Sequence, residues 1–159
     1  AGWFRSFAFQ QWPSYIERRW AYLKKEHARR IVTLPQPRIF ASDLDAAACS
    51  ALAACADGHG LSDAMQVADR DFFAIDPREA YPSAGLLVIN PPYGKRLAAS
   101  ENTEELYRDI GGKLARDFNG WRAAVIVPEN RYATLLPIAG KSYRLLHGGL
   151  ALRLVVGRV

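Results

Sequence analysis

The apolar residues of this chain follow two different periods along its length. Short aliphatic runs, which predict buried strands, occupy residues 38–42, 65–68, 86–89 and 121–127. Apolar residues recur at three- and four-residue intervals in segments that predict helices, at residues 15–23, 46–56 and 102–118. Strands that alternate with helices in this way are typical of an α/β fold with a parallel sheet.

The two ends of the chain carry local signals of their own. Ser14 and Glu17 have the spacing of a capping box, so we expect the first helix to begin near residue 13. Toward the other end, residues 142–146 and 150–156 flank a turn that contains Gly148 and Gly149. This arrangement predicts an antiparallel hairpin that turns at the two glycines.

The strand predicted at residues 86–89 ends abruptly in the sequence Asn90-Pro91-Pro92-Tyr93. A residue before proline is driven out of the helical region, and proline has no N–H to donate to a strand ladder. We therefore expect the Asn90 side chain and the Pro91 carbonyl to be held in a stiff, extended turn. Open α/β sheets bind their ligands at this carboxyl end of the strands.

Such a turn suits transfer of a group to the exocyclic amino group of a flat base. The Asn90 side-chain oxygen can accept one hydrogen of the –NH₂, and the Pro91 carbonyl can accept the other. Both contacts draw the nitrogen lone pair toward a methyl donor, while Tyr93 stacks on the ring. A base that enters this pocket must leave its stack, at a cost of roughly a few kcal/mol.

A second candidate strand tip carries carboxylates. Residues 38–42 lead into Asp43-Leu44-Asp45, and an alanine-rich helix follows. Rossmann-like folds present a carboxylate to ribose hydroxyls at the end of a strand that is followed by a helix. Asp43 is the first candidate for this role, whereas Asp45 either caps the helix or shares the role.

Composition and charge narrow the class of protein. The 159 residues, half of them hydrophobic, suffice for one domain with a real core, and the net charge of +5 mildly favours a polyanionic partner. Cys49 and Cys55 have no further ligands at metal-binding spacing, so we interpret them as reduced core thiols and expect no metal site. No signal peptide or long apolar span is apparent, which favours a cytoplasmic protein without a membrane partner.

The tetrapeptide at residues 90–93 resembles the catalytic motif of the S-adenosylmethionine-dependent amino-methyltransferases. The resemblance implies that Asn90, Pro91, Pro92 and Tyr93 are catalytic and that S-adenosyl-L-methionine is the cofactor. It also implies that an acidic residue after the strand at residues 65–68 receives the adenine amino group of the cofactor. Asp71 is the first choice and Asp69 the second. The residues expected to bind the cofactor are Asp43, Asp45, Asp71, Phe72 and Asn90.

Three segments narrow the resemblance to the RNA guanine-N2 methyltransferases that carry a THUMP domain: residues 90–97, the aromatic segment 7–13 and the closing segment 143–150. That family includes the bacterial 23S ribosomal RNA enzyme and related tRNA enzymes. The resemblance implies a Rossmann-like class I methyltransferase sheet with a C-terminal antiparallel hairpin. It further implies methyl transfer to N2 of guanine in ribosomal RNA, with the base flipped into the Asn-Pro-Pro-Tyr pocket. Lys95 and Arg96 are the expected nucleic-acid contacts.

The chain departs from the pattern of this family at its start. The family has a first strand and a glycine-rich loop before the aromatic segment, and a THUMP region before those. The sequence does not show them, so residues 1–159 are expected to form a partial catalytic domain that is inactive on its own. We also expect the strands that would flank the first strand to expose edges through which the chain self-associates.

Three alternative functions remain open at this point. The tetrapeptide also fits an adenine-N6 methyltransferase that acts on DNA or RNA, and the family resemblance also fits a tRNA guanine-N2 methyltransferase. A non-catalytic RNA-binding fragment that keeps the fold is the alternative outside the enzymes. Two acidic strand tips beside an intact tetrapeptide favour the enzymes.

Overall fold

The structure is a computed structural model that describes residues 5–32, 34–80, 83–92 and 103–159. The chain divides into two compact units, Ala1–Phe72 and Phe73–Val159. Alternating strands and helices run through both units, which confirms the predicted α/β class.

The first unit begins with an aromatic cluster that anchors helix α1 (Glu17–Ala28). The Phe9 ring packs edge-on against Trp20 of α1, with ring centroids 5.2 Å apart, and Phe7 contacts the same indole at 6.2 Å. The predicted capping box at Ser14 and Glu17 is wrong, because α1 starts at Glu17 and its N-cap is Ile16, whose side chain cannot accept a hydrogen bond. The aromatic contacts, rather than a polar cap, hold this end of the helix.

Two parallel strands, β1 (Ile39–Asp43) and β2 (Met65–Asp69), form the sheet of the first unit. Helix α2 (Ala46–Gly58) connects them, as a crossover between parallel strands requires. Cys49 of α2 is buried, as predicted, but Cys55 is exposed and is not part of a core. Both cysteines are free thiols.

The second unit contains a mixed four-stranded sheet. Its strands are β3 (Leu86–Ile89), β4 (Arg122–Val127), β5 (Ala139–His147) and β6 (Leu150–Arg158), in the spatial order β3-β4-β6-β5. β3 and β4 are parallel, whereas β6 is antiparallel to both β4 and β5. β5 and β6 form the predicted hairpin, and the turn between them needs glycine because Gly148 and Gly149 both have positive φ, +55° and +82°.

Helix α4 (Thr103–Asp117) supplies the core of the second unit, where short helices α3 (Pro77–Ala80) and α5 (Asn130–Ala133) also lie. The Tyr107 hydroxyl of α4 donates to the Ile126 carbonyl of β4 at 3.0 Å, and its ring stacks on Tyr132 of α5 at 5.2 Å. A side chain at Gly111 would collide with the Leu135 carbonyl, so this glycine permits the close approach of α4 to the segment after α5. The most buried residues of this core are Tyr107, Ile110, Leu114, Ala123, Val125 and Val127.

Lys113 of α4 is a buried cation within this core. Its side chain is 3% exposed, and its ammonium group donates to the Ile75 carbonyl and to Asp117, both at 2.7 Å. The hydrogen bond from Lys113 is the main reason that the pKa of Asp117 lies below its ordinary value. Lys113 thereby ties the segment before α3 to α4.

Replacing Lys113 by methionine is expected to lower the free energy of unfolding by about 1–3 kcal/mol, because the Ile75 carbonyl loses its donor. Urea titration at neutral pH measures this. In the unsubstituted chain the lowered pKa of Asp117 stabilises the fold above the ordinary pKa of aspartate, and that contribution is lost as pH falls through the lowered value. Acid unfolding of Lys113→Met should therefore begin at higher pH.

The matched control is Arg108→Met, which breaks the exposed pair between Arg108 and Glu104 of the same helix, 2.7 Å apart. An exposed pair of this kind contributes about 0.5 kcal/mol or less. Equal losses of stability in the two variants would contradict the structural role assigned to Lys113.

Among the described strands, β1 has one neighbour, β2, and β3 has one neighbour, β4. Each of these two parallel strands therefore has a second edge that no described strand pairs with. None of the helices formed by the described residues is long and apolar enough to cross a membrane. The same residues contain no group of three or more side chains that could hold a metal ion.

Candidate functional site

Asn90 immediately follows the last residue of β3, at the carboxyl end of the strand. Asn90 is exposed, Pro91 is buried and Pro92 is exposed. The buried proline fixes the backbone, while the amide of Asn90 stays accessible to a ligand. Tyr93, Lys95 and Arg96, which complete the predicted site, lie outside the described residues.

The acidic segment at the end of β1 has two distinct carboxylates. Asp45 is the N-cap of α2, because its Oδ1 accepts hydrogen bonds from the backbone N–H groups of Ala47 and Ala48 at 2.9 and 3.2 Å. Asp43 is the last residue of β1, and its Oδ1 accepts from the Asp45 N–H at 3.0 Å. Asp45 thus holds the start of α2 and Asp43 holds the turn after β1, and both carboxylates use only Oδ1 in these hydrogen bonds.

The second acidic segment follows directly on the neighbouring strand. Asp69 ends β2 and lies opposite Asp43 in the parallel register, so the two carboxyl ends are adjacent. Asp71 lies two residues beyond the strand and is half-buried, just before a short 3-10 helix that begins at Phe72. Of the two candidates, Asp69 is at the strand tip and Asp71 is in the turn beyond it. The Arg70 N–H donates to the Asp43 carbonyl at 3.1 Å and holds this turn against β1.

Cys49 supports both strand tips, a role that the sequence did not reveal. Its Sγ lies 3.6 Å from the Asp43 carbonyl and 3.4 Å from the Ala68 carbonyl. The Cys49 thiol thereby links α2 to the carboxyl ends of β1 and β2. Its position on the inner side of an alanine-rich helix was the available signal, and it indicated burial but not these partners.

The sequence contains one Gly-x-Gly, at Gly58-His59-Gly60, and it does not serve as a cofactor loop of the expected kind. Gly58 ends α2, and Gly60 adopts a φ of +64° in the turn that leads to β2. A phosphate- or methionine-binding glycine loop joins a strand to the start of a helix instead. These glycines terminate a helix.

Comparison with known families identifies the chain. Residues 1–141 match UPF0020, the RMKL-like methyltransferase domain. The chain belongs to this family. The matched residues include both parallel strand pairs and the Asn-Pro-Pro turn after β3.

The relatives of the chain are longer proteins. The ribosomal RNA large subunit methyltransferase K/L of Marinobacter nauticus is 28% identical over 157 residues, which are 96% of this chain and 22% of that protein. The homologous K/L protein of Methylococcus capsulatus is 32% identical over 93% of this chain and 20% of its own length. The chain therefore spans about a fifth of the length of these relatives.

A solved structure establishes the fold. SMU.472, described as a methyltransferase and solved in complex with SAH, superposes with a TM-score of 0.77 at 23% identity, over 99% of this chain and 41% of that one. The chain thus has a Rossmann-like methyltransferase fold that ends in an antiparallel hairpin, as the sequence predicted.

Proposed function

We propose that this chain is the part of an S-adenosylmethionine-dependent RNA methyltransferase that holds the target base and the nucleoside end of the cofactor. The acceptor in this proposal is the exocyclic N2 of guanine in ribosomal RNA, and the enzyme acts in the cytoplasm. The observation that carries the proposal is the exposed Asn90 beside the buried Pro91 at the carboxyl end of β3. The names of the relatives supply the ribosomal RNA substrate.

Asn90 and Pro91 would act on the base. The Asn90 side-chain oxygen accepts one hydrogen of the amino group, and the Pro91 carbonyl accepts the other. Because Pro91 is buried and Pro92 cannot adopt a wide range of φ, the Pro91 carbonyl is held in place before the base arrives. Acceptors fixed in advance require no reorganisation in the transition state. Tyr93 would stack on the flipped base, and Lys95 and Arg96 would contact the RNA backbone.

The two acidic strand tips fit the cofactor by their donor and acceptor chemistry. A carboxylate accepts hydrogen bonds from two vicinal hydroxyls, which suits Asp43 for the ribose, with Asp45 as its structural support. Asp71, with Asp69 as the alternative, would accept from the adenine amino group, and Phe72 would pack near the ring. Bound S-adenosylmethionine supplies the methyl group. The neighbour solved with SAH supports this choice of cofactor.

The nucleoside that is formed decides between the candidate reactions. Full-length protein is incubated with methyl-labelled S-adenosylmethionine and large-subunit ribosomal RNA that lacks modifications. We expect label in N2-methylguanosine after digestion of the RNA and chromatography. Label in N6-methyladenosine would assign the alternative adenine reaction. RNA binding without any transfer would instead support the non-catalytic alternative and contradict the proposal.

A further inference from the structure

A groove of about 620 Å³ lies in the second unit, between the turn after β4 and the β5–β6 hairpin. Pro128, Glu129 and Asn130 line one side. The hairpin lines the other side with Arg144, Leu145, Leu146, Ala151, Leu152 and Arg153. We call this feature the hairpin groove. None of the predicted site residues that the structure describes lies in it.

The hairpin side of the groove is strongly cationic. Residues 139–159 contain four lysines or arginines and no acidic residue. Arg144 and Arg153 lie directly opposite each other on β5 and β6, and like charges at opposed positions destabilise a sheet. In the part of the chain that the structure describes, neither arginine has a carboxylate within salt-bridge distance.

The acidic side of the groove does not neutralise this charge. Glu129 pairs with Arg131 at 2.9 Å, and Arg153 instead donates from Nε to the Ser142 hydroxyl at 2.8 Å. Two guanidinium groups thus face the same groove and keep donors for an anion. A bound phosphate would offset the repulsion between them.

The strand register connects the hairpin groove to the Asn-Pro-Pro turn. Val127 of β4 lies opposite Arg153 of β6, which lies opposite Arg144 of β5. On β3, Ile89 lies opposite Val125, so Pro91 extends the row that contains Val127. Neighbouring strands are about 4.8 Å apart, which puts Arg153 roughly 10 Å and Arg144 roughly 14 Å from the end of β3.

The groove also offers apolar surface beside the two arginines. Leu146 is 77% exposed and lies opposite Ala151, two positions beyond the arginine pair along the hairpin. An apolar surface next to cationic groups is the combination that binds unpaired nucleotides, whose bases need an apolar face and whose phosphates need a cation. A protein partner with an acidic surface would use the arginines but would gain little from their position beside the Asn-Pro-Pro turn.

We propose that the hairpin groove binds the RNA strand next to the target nucleotide. Arg144 and Arg153 contact its phosphates, and Leu146 packs against an adjacent sugar or base. The assignment of RNA rests on the proposed function, whereas the groove, its charge and its register position do not. The groove would hold the strand while the neighbouring base is flipped out of its stack.

The test measures binding of a fluorescein-labelled single-stranded RNA of about 15 nucleotides to the full chain by fluorescence anisotropy. The double variant Arg144→Gln with Arg153→Gln is expected to bind about tenfold more weakly. Loss of two phosphate contacts should also reduce the slope of log K against log salt by about 1.4. No cofactor is present in this measurement.

The sheet provides a matched control. Arg122 and Arg158 are also an opposed arginine pair, but they lie at the other end of β4 and β6. Arg122→Gln with Arg158→Gln removes the same charge and should change affinity by less than about twofold. Equal weakening in both double variants would show that binding depends on net charge alone and would overturn the proposal. Tighter, hairpin-dependent binding of DNA of the same sequence would overturn RNA as the occupant.

The RNA-binding test of the hairpin groove and the methyl-transfer test of the proposed function can fail independently. If the hairpin variant weakens RNA binding while the full-length protein transfers no methyl group, the groove stands and the catalytic assignment fails. If methyl transfer occurs but the unsubstituted chain binds no RNA at low salt, the groove proposal fails. Circular dichroism of both double variants should match the unsubstituted chain, since none of the four arginines is buried.

Discussion

Replacement of Asn90 by alanine is expected to lower the rate of methyl transfer by at least about 100-fold in the full-length protein. Asn90 is proposed to hold one hydrogen of the target amino group, and the Pro91 carbonyl alone cannot orient the nitrogen lone pair. Removing one fixed hydrogen-bonding group of an oxyanion hole has an effect of about this size. The rate is measured under single-turnover conditions with saturating S-adenosylmethionine and RNA.

The dissociation constant of the cofactor distinguishes loss of catalysis from loss of structure. Asn90 is assigned mainly to the base, so Asn90→Ala should bind S-adenosylmethionine within about threefold of the unsubstituted protein. Asn119→Ala is the matched control, because Asn119 is an exposed asparagine before β4, at the opposite end of the strands. Near-normal turnover by Asn90→Ala would contradict the assignment.

The sequence predicted the elements that have a strong period. All four aliphatic runs form strands, and the stripe at residues 102–118 becomes α4. The hairpin was predictable because Gly148 and Gly149 permit the left-handed backbone that a tight turn needs. The start of α1 was not predictable, because ring packing against Trp20 replaces the capping box that Ser14 and Glu17 suggested.

The positions of the candidate residues were predictable where a polar residue directly follows or ends a predicted strand. Asn90 and Asp43 lie at the ends of β3 and β1 as the sequence indicated, and Asp45 proved to be the helix cap. Features that depend on the pairing register of the strands could not be predicted from the sequence. Arg144 and Arg153 are nine residues apart in sequence, and only the pairing of β5 with β6 brings them to the same row.

Lys113 shows that long-range polar contacts also could not be predicted from the sequence. On an amphipathic helix a lysine predicts a solvated side chain, yet this one is buried against the Ile75 carbonyl 38 positions away. No local pattern indicates such a partner. Its burial follows from the packing of the segment before α3 on α4.

Replacement of Asp43 by asparagine is expected to weaken the binding of S-adenosylmethionine by about 10- to 100-fold in the full-length protein. Hydrogen bonds from ribose hydroxyls to a carboxylate contribute about 1.5–3 kcal/mol, and the amide keeps one acceptor but replaces the other with a donor. The substitution preserves the hydrogen bond from the Asp45 N–H, because the remaining oxygen can still accept it. Isothermal titration calorimetry measures the dissociation constant.

Asp45→Asn is the control for charge and for the integrity of the strand tip. Asparagine caps helices as well as aspartate does, so the N–H groups of Ala47 and Ala48 keep their acceptor and α2 keeps its start. Both variants remove one negative charge within three residues of the same strand end, so a general electrostatic effect would weaken binding equally in the two. Weakening in Asp43→Asn alone assigns the ribose to Asp43. If Asp43→Asn leaves the dissociation constant unchanged and Asp45→Asn raises it, the ribose contact belongs to Asp45. Asp45 would then both cap α2 and bind the cofactor.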